Sequence, residues 1–335
     1  MSHGDGPGGT RRERGPHLKV LEAVADPPPR RRVLSPLRYP GGKRRLVPYV
    51  ATLLRDNDLE PDLFVEPYAG GASVALELAD LGLVKQVALT DLDPWVASFW
   101  QTVFDDCDWL CTKIETITID LASWDRYKRS RTRSRRWQAL AFLFLNRTSF
   151  NGALHPTVGP IGGRRGRSEY DLSCRFPRAR LISRLRACEQ LAKDGKIAWV
   201  RCQSALEAIR DARAEVKKTG RTMFSYLDPP FWAKSSHLYR YGFAGCQHEE
   251  LAEALRWVKE PWLLSYDVAP EVVDLYAKHD VRRATVELLY TATKRAGYEE
   301  LVITNQAMLP SDTRLWQTKA QWKERRSASL EAQGH

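Results

Sequence analysis

Short apolar runs bounded by polar and turn-forming residues recur along the chain. Their length and their content of β-branched and aromatic residues predict buried strands. Helical patterns follow most of these runs, as in 73–82 and 247–260. This alternation predicts an α/β fold, with a parallel sheet covered by helices on both faces. The predicted strands are 62–66, 86–91, 196–202, 223–228, 261–267, 283–289 and 300–305.

Two features interrupt this alternation. The last two predicted strands are joined by the sequence YTATKRAGY, which has no helical pattern, so we expect them to pair antiparallel. Between 106 and 195 the chain is helix-like and carries the cationic run 126–136, which indicates an inserted domain. The predicted organisation is a disordered basic tail (1–33), a catalytic domain (34–105 and 195–310), the inserted domain (106–194) and a polar C-terminal tail (311–335).

The overall charge favours a polyanionic partner. The 335 residues include 52 Lys and Arg against 41 Asp and Glu, a net charge of +11. Such an excess is typical of nucleic-acid binding, although many basic proteins bind none. The apolar runs are too short to span a bilayer, and the N-terminal segment lacks the apolar stretch of a secretory signal. We therefore expect no membrane association.

The cysteines indicate a reducing compartment. Six of them are scattered along the chain, and none forms a C-x-x-C pair. Two such pairs, or histidines at zinc spacing, would be needed to predict a structural metal. Reduced thiols in the cytoplasm, with no metal site, are the interpretation that fits this pattern.

The sequence FSYLDPPFWAK, at 224–234, predicts a rigid corner at the carboxyl end of a strand. Pro229 and Pro230 fix φ and donate no backbone hydrogen bond, so the strand ends at Asp228 and the loop is stiff. Open α/β sheets bind ligands at this edge. A carboxylate and a proline carbonyl can accept hydrogen bonds from the exocyclic amine of a nucleobase, and Phe231 can stack on an extruded base. The corner is typical of an amine-methylation pocket.

A second motif predicts a nucleotide-like cofactor. In LFVEPYAGGASVAL, at 63–76, a strand leads through a glycine-containing turn into a helix. Gly70 and Gly71 permit a ligand to approach the backbone closely. Asp91 ends the next strand, at a spacing typical of an acid that accepts ribose hydroxyls. The alternatives are a purely structural turn and a helix N-cap role for Asp91.

The sequence LRYPGGKRRL, at 37–46, adds an aromatic residue and a cation near the N-terminus. It lacks the spacing and the Ser or Thr of a P-loop. Tyr39 and Lys43 could flank a cofactor, and a basic surface turn is the alternative.

In this order, the motifs resemble those of the Dam-like DNA adenine methylases. RYPGGK is similar to the N-terminal cofactor motif of the family, EPYAGGAS to its glycine motif, TDLDP to its ribose-binding motif and LDPPF to its catalytic D-P-P-Y. FLFLNRTSFNG, at 142–152, is similar to the N-R-x-x-F-N-G element of its DNA-reading domain, and LLSYD and AGYEELVITN resemble its late strands.

The resemblance implies a Rossmann-like seven-stranded sheet with an antiparallel last strand, S-adenosylmethionine as cofactor, and methyl transfer to the amine of a flipped adenine in double-stranded DNA. It implies a reaction corner formed by Asp228, Pro229, Pro230 and Phe231. The residues that it assigns to the cofactor are Tyr39, Lys43, Glu66, Gly70, Asp91 and Asp228.

Three positions depart from the family pattern. Tyr39 stands where well-known members have Trp, which preserves an aromatic face. Phe231 replaces Tyr and so lacks the hydroxyl. Ala72 fills a glycine position, which a turn tolerates if φ stays negative.

The DNA contacts are expected in the inserted block. Cations of the first run, including Arg129 and Arg133, are expected to hold phosphates, with a solvated face as the alternative. Arg164 and Arg165 are placed to enter a groove and read a base. The N-R-x-x-F-N-G element adds Asn146, Arg147 and Asn151. The recognised DNA sequence does not carry over from the family.

Other functions stay open on the sequence alone. The same corner suits methylation of an RNA base, of the cytosine amine or of a protein amide, and a silent DNA-binding module is a third possibility. We expect a monomer. A lone methylase, a restriction–modification partner and a phage-defence component are all compatible with the chain.

Overall fold

The computed structural model describes residues 33–38, 42–165, 169–232, 245–290 and 296–315. Residues 1–32, most of the predicted N-terminal tail, and 316–335, most of the predicted C-terminal tail, lie outside this range, as does Tyr39. The described part contains ten α-helices and seven strands, and it forms an α/β fold.

The strands are β1 (Leu63–Glu66), β2 (Gln86–Asp91), β3 (Ile197–Cys202), β4 (Met223–Leu227), β5 (Trp262–Asp267), β6 (Arg282–Tyr290) and β7 (Ala296–Thr304). The helices are α1 (Val47–Asp56), α2 (Ser73–Asp80), α3 (Pro94–Asp105), α4 (Cys107–Thr116), α5 (Leu121–Lys128), α6 (Arg135–Thr148), α7 (Arg178–Lys193), α8 (Ala205–Thr219), α9 (Gly245–Arg256) and α10 (Pro270–Leu275). All seven predicted strands are confirmed.

The strands form one mixed sheet in the order β3-β2-β1-β4-β5-β7-β6. The first five strands of this order pair in parallel, whereas β7 is antiparallel to both β5 and β6. The antiparallel last strand and the direct pairing of the final two strands are confirmed. The carboxyl ends of β1, β2, β4 and β5 therefore meet at one edge of the sheet.

Helices cover both faces of the sheet because β1 alternates its side chains between them. Phe64 packs in the large core formed with α1, α2, α3, α6 and α7. Its neighbours Leu63 and Val65 pack on the opposite face, against Ala212 and Val216 of α8. The middle strands are buried throughout, as a parallel sheet with two covered faces requires.

The block from 106 to 194 shares the large core with the rest of the protein. Its helices α4, α5, α6 and α7 are present, as the helix-like sequence predicted. Phe142 of α6 packs on Phe99 of α3 with ring centroids 5.4 Å apart, and Leu181 of α7 belongs to the same core. The described core does not separate the two blocks, so the boundaries at 106 and 194 stay a prediction.

The first residues of the C-terminal segment cover the outer edge of the sheet. The backbone N–H of Glu287 in β6 donates to the Thr313 carbonyl at 2.7 Å, and the Leu315 N–H donates to the Glu287 carbonyl at 3.0 Å. Such pairing satisfies backbone groups that an open edge strand would expose.

Candidate active site

Acidic residues collect at the carboxyl edge of the sheet. Glu66, Asp91 and Asp267 are the last residues of β1, β2 and β5, and Asp228 directly follows β4. Glu300 of β7 pairs across the ladder with Asp267 and is fully buried. This concentration of buried and half-buried negative charge is costly without a cation or a proton to compensate it.

The proline corner holds one oxygen of Asp228 and leaves the other accessible. Lys43 Nζ donates to Asp228 Oδ1 at 2.7 Å, and Ser265 Oγ donates to the same oxygen at 3.2 Å. No donor from the described part of the chain approaches Oδ2, and the Asp228 side chain is 25% exposed. Burial raises the pKa of Asp228, and the contact with Lys43 opposes that rise. The second oxygen is therefore available to a substrate donor.

Lys43 connects the corner to a residue that the sequence did not single out. Its ammonium is 2% exposed and donates also to Glu300 Oε1, so two carboxylates share one buried cation. Burial raises the pKa of Glu300 to about 7. The charge of Lys43 opposes this rise, and the charge of Asp228 adds to it. Glu300 Oε2 is buried and finds no hydrogen-bond partner in the described chain. The available signal was Glu300 itself, an acid at the start of the apolar run 301–303.

Phe231 completes the corner with an aromatic face. The Lys43 ammonium lies 5.4 Å from the centroid of the Phe231 ring. The next residue, Trp232, donates its backbone N–H to Asp267 Oδ1 at 2.9 Å, which ties the corner to the end of β5. The predicted combination of carboxylate, two prolines and ring is thus assembled at the sheet edge.

The glycine turn is held by the acids at the ends of β1 and β2. Glu66 Oε2 accepts a hydrogen bond from the Ala75 N–H at 3.0 Å, and Asp91 Oδ2 accepts one from the Gly70 N–H at 2.9 Å. Gly70 has φ +42°, a left-handed conformation that glycine adopts readily. Burial raises the pKa of Glu66 well above its ordinary range, and the nearby charges of Asp228 and Asp91 add to this rise.

The N-cap of α3 is Asp93 and not Asp91. Asp93 Oδ1 accepts from the Trp95 N–H at 2.9 Å, in the usual geometry of a helix N-cap. Asp91 instead receives the backbone N–H groups of Gly70 and Asp93. Burial raises its pKa to about 7. Leu92, beside it, is 46% exposed and offers an apolar surface that the sequence analysis missed.

Ala72 requires a correction. We expected a negative φ at this family glycine position, but φ is +47° and Ala72 occupies the left-handed region as the residue before α2. Its side chain is buried, so packing of the methyl group offsets part of the cost of this conformation.

The N-R-x-x-F-N-G element is bonded mainly to the protein itself. Asn146 is fully buried; its Oδ1 accepts from the Arg38 N–H at 2.8 Å, and its Nδ2 donates to the carbonyls of Arg38 and Gly152, each at 3.0 Å. Arg147 is buried too and donates to backbone carbonyls. A Cβ at Gly152 would lie 2.1 Å from the Arg38 carbonyl oxygen. These contacts lie within the protein, and the DNA roles predicted for Asn146 and Arg147 stay predictions. Both side chains stabilise the turn.

The other predicted DNA contacts lie on the surface. Arg129, Arg133, Asn151 and Arg165 are exposed, and Asn151 has φ +54°. Arg164 is also exposed, but it donates two hydrogen bonds to Asp125, at 2.6 and 3.1 Å. Their DNA roles stay predictions.

The parallel sheet with an antiparallel last strand, and the acidic edge with its proline corner, place the chain in the α/β class, whose members bind ligands at the carboxyl edge of the sheet. A family model for D12 class N6 adenine-specific DNA methyltransferases matches residues 39–292, more than half of the chain. The chain therefore belongs to that family and is an adenine-specific DNA methyltransferase. No curated protein sequence matches it significantly.

The described residues contain neither a metal-ligand cluster nor a membrane-spanning helix. Among them, no group of three or more His, Cys, Asp or Glu side chains is arranged to hold a metal ion. None of the helices described is both long enough and apolar enough to cross a membrane.

Proposed function

We propose that the chain transfers a methyl group from S-adenosylmethionine to the N6 amine of an adenine turned out of double-stranded DNA into the Asp228–Phe231 corner. The observation that carries this proposal is the state of Asp228. Lys43 and Ser265 fix one carboxylate oxygen, and no described donor bonds to the other. The Phe231 ring lies on the same corner, 5.4 Å from the Lys43 ammonium.

The residues present fit S-adenosylmethionine by charge. Five carboxyl groups lie at or near the sheet edge, and among the described residues Lys43 is the cation that contacts two of them. A ligand with a sulfonium and an ammonium group would compensate this excess. When bound, the cofactor supplies an electrophilic methyl group. Asp91 would hold the ribose, and the Gly70 turn, Glu66, Tyr39 and Lys43 would line the rest of the site.

The corner can activate a weakly nucleophilic amine. The lone pair of an adenine amine is delocalised into the ring, and hydrogen bonds from its N–H groups to fixed acceptors oppose that delocalisation. Asp228 Oδ2 is one acceptor. The Pro229 carbonyl is the second, and the Pro229–Pro230 peptide has no N–H to compete for it. The negative carboxylate also stabilises the positive charge that develops on the nitrogen, while Phe231 keeps the base stacked.

The direct test is methyl transfer from tritiated S-adenosylmethionine to duplex DNA, RNA and protein, followed by identification of the modified base. We expect label in duplex DNA as N6-methyladenine. Label confined to RNA, to the cytosine amine or to protein would contradict the proposed substrate. Absence of transfer to all of them, by a protein that still binds DNA, would indicate a silent binding module.

We expect Asp91→Asn to weaken cofactor binding by about 10- to 100-fold and to change kcat less. A ribose contact acts almost equally in the ground state and the transition state, so its loss appears mainly in affinity. Because burial raises the pKa of Asp91 to about 7, affinity for the cofactor should fall as the pH drops through neutrality. Calorimetry at several pH values measures both effects.

Asp93→Asn is the matched control for this variant. Asp93 caps α3, and Asn caps helices about as well as Asp, so the replacement should leave both the melting temperature and cofactor binding nearly unchanged. Equal cofactor affinity for the wild type and Asp91→Asn would contradict the assignment of Asp91 to the cofactor ribose.

We expect Phe231→Ala to lower the rate of methyl transfer roughly 5- to 150-fold, which corresponds to about 1–3 kcal/mol for one stacked base. Phe231→Tyr and Phe231→Trp keep a ring face and should retain most activity. Single-turnover rates with saturating cofactor make the comparison. Similar rates for the Ala and Trp variants would show that stacking is not part of the reaction.

We propose further that the block 106–194 contributes the DNA-recognition surface. The exposed side chains of Arg129, Arg133 and Arg165 and the 62% exposed Phe150 support this. A monomeric, cytoplasmic enzyme and a restriction or phage-defence partner stay predictions from the sequence.

A further inference from the structure

Four arginines lie around the segment 35–38, which itself ends in Arg38 and leads into the RYPGGK motif. Arg147 Nε donates to the Arg175 carbonyl at 2.6 Å and its Nη1 to the Pro36 carbonyl at 3.4 Å. Arg184 Nη1 donates to the Ser35 carbonyl at 3.1 Å. Electrostatic repulsion links the side chains of Arg147 and Arg184 to each other and to three further arginines of this region. We call the group the arginine cluster: Arg38, Arg147, Arg175, Arg180 and Arg184.

The cluster lacks compensating acids within the described chain. None of its five members forms an ion pair with a described carboxylate, and Arg38 Nη1 is buried with no hydrogen-bond partner there. Other arginines nearby in sequence do form ion pairs with acids. Arg44 contacts Glu77 at 2.6 Å, and Arg186 contacts Asp108 at 2.6 Å. The concentration of positive charge is therefore a local property of the cluster.

Burial makes this charge more costly. Burial, reinforced by repulsion from the other members, lowers the pKa of Arg147 to about 9. Burial is also the main cause that lowers the pKa of Arg38 and of Arg184. Arg175 and Arg180 are exposed, so the cluster is open to solvent on one side. An anion that enters from that side would relieve the repulsion.

The cluster lies next to the turn that carries the family's DNA-reading element. Asn146 bonds both the N–H and the carbonyl of Arg38, and the same amide bonds the Gly152 carbonyl. Phe150, in this turn, is 62% exposed. One rigid unit thus joins the arginines, the start of the cofactor motif and an exposed aromatic residue.

We propose that the arginine cluster binds a backbone phosphate of the substrate DNA and so fixes the duplex relative to the proline corner. This inference rests on the proposed function, because the phosphate is that of the DNA being methylated. Guanidinium groups suit a phosphate since their planar N–H donors pair with its oxygens in bidentate fashion. Such a contact sets position and orientation and carries no sequence information.

The test is the salt dependence of DNA binding by Arg175→Gln/Arg180→Gln. Both side chains are exposed, and the Arg175 carbonyl that Arg147 contacts is retained, so the fold should persist. For a mixed-sequence duplex we expect the slope of log K against log salt to fall by about one to two units, and affinity at physiological salt to fall roughly 5- to 30-fold. Thermal unfolding should be unchanged.

Lys217→Gln/Lys218→Gln is the matched control. It removes the same charge from α8, which packs on the opposite face of the sheet, and both lysines are exposed. Its slope should equal that of the wild type. An unchanged slope in the arginine variant, or equal changes in both variants, would overturn the phosphate site. Methyl transfer by the wild type tests the proposed function separately. If the wild type methylates DNA but the arginine variant keeps the wild-type salt slope, the phosphate site is refuted and the proposed function stands.

Discussion

Asp228→Ala should lower the rate of methyl transfer at least ~100-fold, the usual cost of removing one oriented acceptor of developing charge. Asp228 is the carboxylate on the proline corner, and its Oδ2 is the oxygen that we assign to the adenine amine. Single-turnover kinetics with excess enzyme and saturating cofactor would measure the chemical step directly.

The fold should survive this change, because Lys43 keeps Glu300 as its partner when Asp228 is removed. The Lys43 ammonium then faces a single carboxylate, that of Glu300, whereas in the wild type it is shared by two. We expect the melting temperature of Asp228→Ala to equal or exceed that of the wild type. A folded variant with a rate within threefold of the wild type would refute the assignment.

Lys43→Met should cost about 3–5 kcal/mol of unfolding free energy and most of the activity. The variant leaves the buried Glu300 and the half-buried Asp228 with no cation between them, and removing one partner of a buried ion pair carries a penalty of this size. Lys85→Met is the control. Lys85 contacts Asp62 at 2.6 Å but is 74% exposed, so its loss should cost less than about 1 kcal/mol.

The cost of Lys43→Met should depend on pH. Without the ammonium, the folded-state pKa of Glu300 rises further above its value of about 7, whereas the unfolded chain titrates near about 4. The folded variant then binds protons that the unfolded chain releases, so its stability falls as the pH rises through this window. Denaturant titrations should show a smaller deficit at mildly acidic pH than at alkaline pH.

A second substitution makes this prediction specific. Lys43→Met/Glu300→Gln removes one of the two uncompensated charges and should regain part of the lost stability. Failure of Glu300→Gln to improve the Lys43→Met protein at alkaline pH would show that the three groups are not coupled.

The sequence predicted those parts of the site that depend on neighbours along the chain. Pro229 and Pro230 end a strand wherever they occur, so the corner at Asp228 was visible before any tertiary contact was known. Alternation of strand and helix likewise placed Asp91 at a strand end. The roles of adjacent acids were harder to separate: Asp93 caps α3 and Asp91 faces the glycine turn, and this depends on where the helix begins.

The sequence by itself determined the strands, the glycine turn, the proline corner and the membership of a methylase family. The first three are set by local φ preferences and by periodicities of apolar residues, which act over a few positions. The family was indicated by the resemblance of the ordered motifs. The tertiary structure decided which charges meet. Lys43 and Glu300 are 257 positions apart, and they touch because β7 inserts between β5 and β6. Asn146 is buried and bonds to Arg38 because segment 35–38 lies against its helix. Such contacts depend on strand order and burial, which no local pattern encodes.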